Sequence, residues 1–401
     1  MNAPLRKIAF VSTARSDYNT MFPVMRRASG DPQIEAQIIA AGMHTVSEFG
    51  ETWREFEKDG LTISKKVDYL NSSDVPGEFS KELGRGVEEF TEAFLDLKPD
   101  IVCVSGDRIE NLSLFVAATA LGLPIAHMCG GDLTEGAIDN QIRHVMTKLS
   151  HLHFVSMPEH ARRVIQLGEE PWRVVLTGDA AIDIIVERKP MPRNHIEAEL
   201  GLASGEPFFL STYHPQTLGE SKAVDQYRNL LAALADIPER PVMIYPNIDP
   251  GFQQLVSMLE HFKDRRPDVI LRKSFERDLF YGLMSHAEFM IGNSSSGLWE
   301  APSFALPSIN IGERQAGRGR GDNVIDVTGL ELTSITQAIQ KARDPSFRKS
   351  LAGMKNPYGE GKAAAITIET LKSVPLDAAL LYKKFFEIEF DPLLLGMKGN
   401  F

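Results

Sequence analysis

The sequence predicts an α/β protein made of two doubly wound parallel sheets. Short, nearly continuous apolar segments such as Lys7–Ser12 and Ile101–Val104 alternate with amphipathic segments of helical period. That alternation is typical of parallel strands covered by helices on both faces. It begins again at Pro207–Tyr213, after a stretch that contains three prolines. Because 401 residues exceed one ordinary core, we expect two Rossmann-like domains with an active-site cleft between them.

These signals place the domain boundaries. Residues 1–185 are predicted to form an N-terminal Rossmann-like domain that carries an acid-rich catalytic crevice, and 186–206 a linker. Residues 207–374 are predicted to form a C-terminal Rossmann-like nucleotide-binding domain. The tail, residues 375–401, is apolar enough to dock on a domain or on a second subunit.

Periodicity and turn residues predict the elements of the first half. Strands are expected at Lys7–Ser12, Gln33–Ala40, Thr62–Tyr69, Asp100–Ser105, Leu123–Met128, His153–Ser156 and Arg173–Thr177. Helices are expected after the first strand and at Val46–Asp59, Phe79–Leu97, Leu112–Leu121 and Asp139–Leu149.

The second half repeats the scheme. Strands are expected at Pro207–Tyr213, Pro241–Tyr245, Asp268–Arg272, Ala287–Ile291 and Pro307–Ile311. Helices are expected at Ala223–Ala235, Phe252–Phe262, Phe275–Met284, Leu298–Ala305 and Ser334–Ala342. We expect Pro302 to make its helix short or kinked.

Composition excludes several classes of protein. A net charge of −11 without a basic block argues against general nucleic-acid binding. No apolar run reaches the ~18 residues of a membrane span, so we expect a cytoplasmic protein that does not bind membranes. The two cysteines, Cys103 and Cys129, lie at or beside predicted strands. They are interpreted as buried apolar residues rather than a reactive pair or a disulfide.

Acidic and cationic side chains follow two predicted strands of the first half. Asp107, Arg108 and Glu110 come just after the strand that ends at Ser105. Ligands of open α/β sheets bind at the carboxyl ends of the strands, so Asp107 and Arg108 are candidate catalytic residues. An ordinary ion pair between them is the alternative.

A denser cluster follows the strand that ends at Met128. Asp132, Glu135 and Asp139 come after a Gly-Gly pair, and Arg143 lies four residues beyond Asp139, followed by a histidine. Crowded carboxylates raise one another's pKa, which suits general acid–base chemistry. Asp139 as a helix N-cap, or as a helical partner of Arg143, is the alternative.

The loop after the first strand contains Arg15, Asp17 and Asn19 ahead of a helix. Backbone N–H groups at a helix start attract anions, and Arg15 adds a positive charge. The alternative is a capping loop with surface charges.

Candidate ligand contacts also end the strands of the second half. His214 and Asn247 follow successive strands, and His214 is a candidate for a diphosphate contact or for acid–base chemistry. A buried, hydrogen-bonded histidine is the alternative.

The segment GNSSSG joins a strand to a helix, and Ser294 and Ser295 are predicted to cradle a phosphate there. Glu300, one turn further on, is a candidate partner for a ribose diol. Arg314, in an Arg- and Gly-rich loop, is the best-placed diphosphate partner, whereas the later arginines of that loop are interpreted as solvent-exposed.

The chain shows no zinc-type Cys/His spacing, no Walker A motif and no strand-following GxGxxG. We therefore expect no metal and no redox cofactor. A sugar nucleotide best explains a phosphate cradle together with an acid-rich crevice.

The segments TARSDY, GDRIENL, YHP, YPNIDPG, GNSSSGLWE and INIGERQAGR, with HMCGGDLTEGAIDNQIRHVMTKLSHLHF, resemble the UDP-N-acetylglucosamine 2-epimerases. The likeness is strongest to the hydrolysing branch that makes N-acetylmannosamine or related sugars for sialic- or legionaminic-acid-type pathways. It implies a GT-B fold and a homodimer or homotetramer. It also implies C2 deprotonation, loss of the nucleoside diphosphate to give a 2-acetamidoglycal, and water addition that releases a free sugar.

The resemblance also implies roles for individual residues. Asp107 and Asp139 correspond to catalytic acids, and Arg108 and Arg143 to nearby cations. Nucleotide and diphosphate contacts correspond to Arg15, Asn19, His214, Asn247, Ser294, Ser295, Glu300 and Arg314.

Two positions depart from the family pattern. Some members carry a catalytic Glu directly before Gly-Gly, where this chain has Cys129, so Glu135 or Asp132 is expected to serve instead. Thr20 occupies a position where some relatives have a lysine.

Three other functions stay open at this stage, together with the choice between UDP and GDP. They are a non-hydrolysing epimerase, a GT-B glycosyltransferase, and a catalytically impaired protein that binds a sugar nucleotide.

Overall fold

A computed structural model describes residues 5–71, 77–134, 138–215, 220–246, 252–329 and 331–389. The contacts divide the chain into two compact units. The first contains residues 1–132, 141–180 and 364–401, and the second contains 133–140 and 181–363. The sequence predicts the corresponding boundaries at 185 and 374, whereas the segment 364–374 groups with the first unit rather than the second.

In the described part of the first unit, seven strands form a parallel sheet in the order β3-β2-β1-β4-β5-β6-β7. The central strands β4, β5 and β6 are buried on both faces, as crossover connections require, whereas the edge strands β3 and β7 are partly exposed. The strands are β1 (Arg6–Ser12), β2 (Ile34–Ala41), β3 (Ile63–Val67), β4 (Ile101–Ser105), β5 (Ile125–Met128), β6 (Leu152–Val155) and β7 (Val174–Leu176).

Helices cover this sheet, and a cluster that includes Val11, Phe90, Val104 and Phe115 forms part of the core. The helices are α1 (Arg15–Ser29), α2 (Trp53–Lys58), α3 (Glu78–Leu97), α4 (Leu112–Ala120), α5 (Ile138–Leu149) and α6 (Pro158–Gln166). Strand order reverses at β1 and β4, so the carboxyl ends of these strands flank a topological switch point.

Within the described residues of the second unit, six strands form a parallel sheet in the order β10-β9-β8-β11-β12-β13. Apolar clusters cover both faces, one around Phe209 and Phe289 and the other around Phe208 and Met290. The strands are β8 (Phe208–Thr212), β9 (Arg240–Ile244), β10 (Ile270–Arg272), β11 (Met290–Gly292), β12 (Ser308–Ile311) and β13 (Val324–Val327).

The other helices of the described residues lie before, between and after these strands. They are α7 (Ala180–Glu187), α8 (Arg193–Leu200), α9 (Glu220–Leu234), α10 (Phe252–Arg265), α11 (Arg277–His286), α12 (Ser296–Trp299), α13 (Leu332–Arg343), α14 (Pro345–Ser350), α15 (Ala363–Ser373) and α16 (Ala378–Leu381). Two doubly wound sheets confirm the predicted fold class.

Some local predictions need correction. The helix predicted over Val46–Asp59 is a 3-10 turn at Ser47–Phe49 followed by the short α2, because Gly50 takes a φ of 87° between them. The predicted linker contains α8, whose Ile196 is fully buried in a core of the second unit. Composition alone missed this helix, since its apolar positions are few.

The described part of the tail packs on the first unit. The Arg173 guanidinium, fully buried, donates to the carbonyls of Leu380 (2.8 Å) and Ala379 (2.7 Å). The Phe386 amide donates to the Gly168 carbonyl at 2.9 Å. Residues 390–401 lie outside the described part of the chain.

Among the described residues, no helix combines the length and the apolar character needed to cross a membrane.

Candidate functional site

The loops after β4 and β5 are held together by one arginine, Arg143 on α5. Its Nη2 forms an ion pair with the Asp107 carboxylate, and its Nη1 donates to the Asp132 carbonyl at 2.7 Å. The guanidinium is 4% exposed. A buried charge is tolerated only when it is paired and hydrogen-bonded. The structure therefore fixes Asp107 beside a cation at the carboxyl end of the sheet, and it pairs Arg143 with Asp107.

Arg108, also predicted as a site residue, contacts different groups. Its Nη2 lies 2.5 Å from Glu110 Oε1 and 3.3 Å from Met43 Sδ. The Glu110 side chain is almost fully buried, whereas that of Arg108 is partly exposed. Arg108 thus forms an ion pair with Glu110 in this loop.

The carboxylate of Asp132 faces α6. Its Oδ1 lies 3.3 Å from His160 Nε2, and both side chains are buried. Arg163, on the same helix, donates to the Gly131 carbonyl at 2.9 Å. These contacts anchor the loop after β5, so Asp132 contributes to its position through both its carbonyl and its side chain.

Cys129 lies directly after β5 and has a φ of 65°, a left-handed conformation that is unfavourable for residues other than glycine. The Ser105 hydroxyl donates to its Sγ at 3.7 Å. Burial raises the pKa of the Cys129 thiol well above its ordinary value, and the nearby Asp179 raises it further. A thiol that stays protonated at neutral pH is a poor base.

The first loop leads into α1, which begins at Arg15. Arg15 and Asn19 are exposed, and Arg15 Nη2 lies 3.5 Å from Glu55 Oε1. Asp17, between them, is buried and lies with its Oδ2 3.0 Å from the Thr13 hydroxyl. Arg15 and Asn19 are therefore exposed polar side chains near the carboxyl end of β1, whereas the carboxyl group of Asp17 is buried.

In the second unit, Asn293 joins the ends of β8 and β11. Its Oδ1 accepts from the His214 amide at 2.7 Å, and its Nδ2 donates to the His214 carbonyl at 2.9 Å. The Asn293 carbonyl accepts from Arg314 Nη1 at 3.2 Å and from Gln315 Nε2 at 2.8 Å. One buried asparagine thus positions two predicted site residues, His214 and Arg314.

Backbone packing requires both glycines of the GNSSSG segment. A Cβ on Gly292, whose φ is 144°, would lie 1.9 Å from the Thr212 carbonyl oxygen. A Cβ on Gly297 would lie 2.2 Å from Ser308 Oγ. The glycines therefore serve close packing of β11 and α12, which is independent of any ligand.

Helix α12 spans only four residues and is followed by a 3-10 turn at Ala301–Phe304, as the position of Pro302 predicts. Ser294 and Ser295 lie partly exposed before it, and the partly exposed Glu300 follows its last turn. A one-turn helix has a weak dipole, so an anion here would depend on local N–H and hydroxyl donors rather than on a macrodipole.

His214 is buried beside Arg314. Burial lowers the pKa of His214 to about 3, and the positive charge of Arg314 lowers it too. The ring is therefore neutral at neutral pH and offers one N–H donor and one acceptor nitrogen.

Arg318 is not fully solvent-exposed, so the interpretation of the later arginines of this loop needs correction at this residue. It is partly buried over the Trp299 ring, at 4.7 Å from the ring centroid. Its Nε donates to the Leu133 carbonyl and its Nη2 to Thr134 Oγ1, both at 3.4 Å. Segment 133–140 belongs by its contacts to the second unit, so Arg318 helps to hold the start of the acid-rich segment. Composition could not reveal this contact between residues far apart in the sequence.

Two predicted site residues, Glu135 and Asn247, lie outside the described residues. Asp139 is partly buried on α5, one turn before Arg143.

Two doubly wound parallel sheets with polar residues gathered at strand carboxyl ends define a GT-B-type α/β protein. The family model described as UDP-N-acetylglucosamine 2-epimerase matches residues 26–372. The chain belongs to the UDP-N-acetylglucosamine 2-epimerase family.

Relatives and solved structures agree with this assignment. The chain is 36% identical to the GDP/UDP-N,N'-diacetylbacillosamine 2-epimerase (hydrolyzing) of Campylobacter jejuni, over 96% of this chain and 99% of that protein. It is 32% identical to the UDP-N,N'-diacetylbacillosamine 2-epimerase (hydrolyzing) of Legionella pneumophila, over 94% and 99%. The crystal structure of the Neisseria meningitidis UDP-GlcNAc 2-epimerase bound to UDP-GlcNAc superposes with a TM-score of 0.77 at 19% identity, over 91% of this chain and 99% of that one. This last likeness supports the fold.

Replacing Gly292 by alanine should destabilise the protein by more than about 3 kcal/mol, because the new Cβ would collide with the Thr212 carbonyl. Gly353→Ala is the matched control. Gly353 also has a positive φ, of 76°, but no heavy atom lies within 4 Å of the place where its Cβ would stand, so we expect a loss of about 1 kcal/mol. Urea denaturation measures the free energy of unfolding of both variants. Equal losses of stability in the two would contradict the packing argument.

Both cysteines should resist alkylation in the folded protein at neutral pH. Burial raises the pKa of Cys103 to about 12 and also raises that of Cys129, so little thiolate forms. Iodoacetamide labelling followed by mass spectrometry should show modification at least about tenfold slower than in guanidinium chloride. Rapid labelling of Cys129 in the folded state would show that its thiolate is accessible.

Proposed function

We propose that this protein is a hydrolysing 2-epimerase that converts a nucleoside-diphosphate-linked N-acetyl sugar into the free 2-epimeric sugar and the nucleoside diphosphate. The observation that carries the proposal is the buried Arg143–Asp107 ion pair at the ends of β4 and β5. It places a carboxylate and a cation together in a member of this family. Family membership and the hydrolysing relatives support the same reaction.

Asp107 is the carboxylate that we assign to proton transfer at C2, with Asp139 as the second catalytic acid. The contacts favour Asp107 over Asp132, because the Asp132 carboxylate faces His160. Glu135 keeps its predicted role as an additional acid. A carboxylate positioned at the reacting carbon accelerates such a proton transfer by about 10²–10⁴-fold.

Departure of the diphosphate from C1 needs donors that stabilise the developing negative charge. We assign this role to Arg314, the neutral ring of His214, and the Ser294 and Ser295 hydroxyls of the second unit. Asn293 positions His214 and Arg314 through its backbone and side-chain contacts. Arg15, Asn19, Asn247 and Glu300 are proposed as further nucleotide contacts, and Arg108 as a nearby cation.

The substrate that we propose is a UDP- or GDP-linked 2,4-diacetamido-6-deoxy sugar, with UDP-N-acetylglucosamine as the alternative. The two hydrolysing relatives, at 36% and 32% identity, are named for diacetylbacillosamine nucleotides. The free product would then be an N-acetylmannosamine-type sugar of the kind used to build sialic-type acids. We further propose a cytoplasmic homo-oligomer.

Product analysis with purified protein tests this function. UDP-N-acetylglucosamine, UDP-diacetylbacillosamine and GDP-diacetylbacillosamine are supplied separately, and the products are separated by anion-exchange chromatography with mass detection. We expect a free sugar and a nucleoside diphosphate in equal amounts from a diacetamido substrate. A 2-epimer that is still linked to its nucleotide would establish the non-hydrolysing reaction instead, and no turnover of any of the three would refute the proposal.

Asp107→Asn should lower kcat by about 10²–10⁴-fold while substrate binding persists, since the amide cannot accept the C2 proton. Asp96→Asn is the control, because it breaks an exposed ion pair with Lys65 in the same unit and should leave kcat unchanged. Steady-state kinetics and calorimetric binding measure the two effects, and circular dichroism checks the fold. Wild-type turnover in Asp107→Asn would remove Asp107 from the mechanism.

A further inference from the structure

One hydroxyl group in the first unit faces two acceptors. Thr13 Oγ1 lies 3.0 Å from Asp17 Oδ2 and 2.8 Å from Asn111 Oδ1. Thr13 and Asn111 are fully buried, and Asp17 is 4% exposed. A hydroxyl has a single proton to donate, so one of these two contacts needs a hydrogen from elsewhere.

The orientation of Asn111 decides which contact that is. Its Nδ2 donates to the Ser105 carbonyl at 3.3 Å, which leaves Oδ1 facing Thr13 as an acceptor. The Thr13 proton therefore goes to Asn111. The contact between Thr13 and Asp17 is then a hydrogen bond only if the Asp17 carboxyl group carries a proton and donates it.

This carboxyl group lies against the loop that carries Asp107. A Cβ placed on Gly106 would lie 2.7 Å from Asp17 Oδ1, so the carboxyl occupies the space beside that glycine. Asn111, at the far end of the chain of hydrogen bonds, follows the same loop. Asp17, Thr13 and Asn111 thus connect the loop after β1 with both ends of the loop after β4.

The charged groups that face Asp17 come from that loop. They are Asp107, Arg108 and Glu110. Burial raises the pKa of Asp17 to about 7, and Asp107 and Glu110 act in the same direction. Arg108 lowers the pKa, as a Thr13 hydroxyl that donated to Asp17 also would, and the Arg108 guanidinium is paired with Glu110 at 2.5 Å.

We propose that Asp17 is a positioning residue that works as a neutral acid, donating to Thr13 and thereby fixing the loop that carries Asp107. Ionisation would leave Asp17 and Thr13 without a shared proton and would add a further negative charge beside the carboxyl groups of Asp107 and Glu110. Turnover should therefore fall as Asp17 ionises. The catalytic part of this inference rests on the proposed function of Asp107.

Asp17→Asn tests the role, because an amide of the same shape keeps the donor and cannot ionise. Wild-type kcat should fall about tenfold per pH unit above a midpoint near 7. Asp17→Asn should match wild type within about threefold at about pH 6 and lack this decline. Asp17→Leu, which cannot donate, should lose at least about tenfold at every pH. Asp59→Asn, which alters a carboxylate bonded to Tyr18 on the same helix, should keep the wild-type profile.

A stability measurement tests the protonation without any substrate. The pKa of Asp17 is higher in the folded than in the unfolded chain, so wild type loses stability as the pH rises from about 4 to about 7 and no more above that. The Tm of Asp17→Asn should therefore exceed that of wild type by a margin that grows from about pH 5 to about pH 8.

Three results would overturn the proposal. They are an alkaline decline in Asp17→Asn equal to that of wild type, inactivity of Asp17→Asn at every pH, and a Tm difference that does not grow with pH. If wild type turns over no sugar nucleotide, the proposed function fails, whereas the Tm comparison still decides whether Asp17 is neutral.

Discussion

The candidate site of the first unit depends on the buried guanidinium of Arg143. It binds the Asp107 carboxylate after β4 and the Asp132 carbonyl after β5. A buried arginine that loses its partner destabilises the fold by several kcal/mol. The folded state therefore favours keeping both loops in contact with Arg143. The same contact places the side chain of Asp107 next to a cation.

Buried polar groups complete the arrangement on either side of this ion pair. His160 holds the Asp132 carboxylate, and the Asp17–Thr13–Asn111 chain supports the loop before Asp107. In the second unit, Asn293 positions His214 through its side-chain amide and Arg314 through its backbone carbonyl. Each unit therefore positions its candidate site side chains through a buried hydrogen-bonding residue, which is how precise geometry is maintained in a functional site.

The sequence predicted the fold class because strand and helix periods differ and repeat locally. Buried strands such as β1 and β4 were found from their apolar runs. Partners of side chains were not predictable in this way. The sequence suggested Asp139, four residues away, as a partner of Arg143, but it did not predict the ion pair with Asp107, 36 residues distant. Asn293 contacts His214 across 79 residues, and a sequence carries no local signal for such contacts.

Proton NMR of the reaction in D₂O tests the central claim, which is that a carboxylate of this site removes the C2 proton before the diphosphate departs. With the turned-over sugar nucleotide, the account predicts a free 2-epimeric sugar that carries deuterium at C2, together with the nucleoside diphosphate. A released sugar that retains its original proton at C2 would contradict it, because simple hydrolysis at C1 would then explain the products.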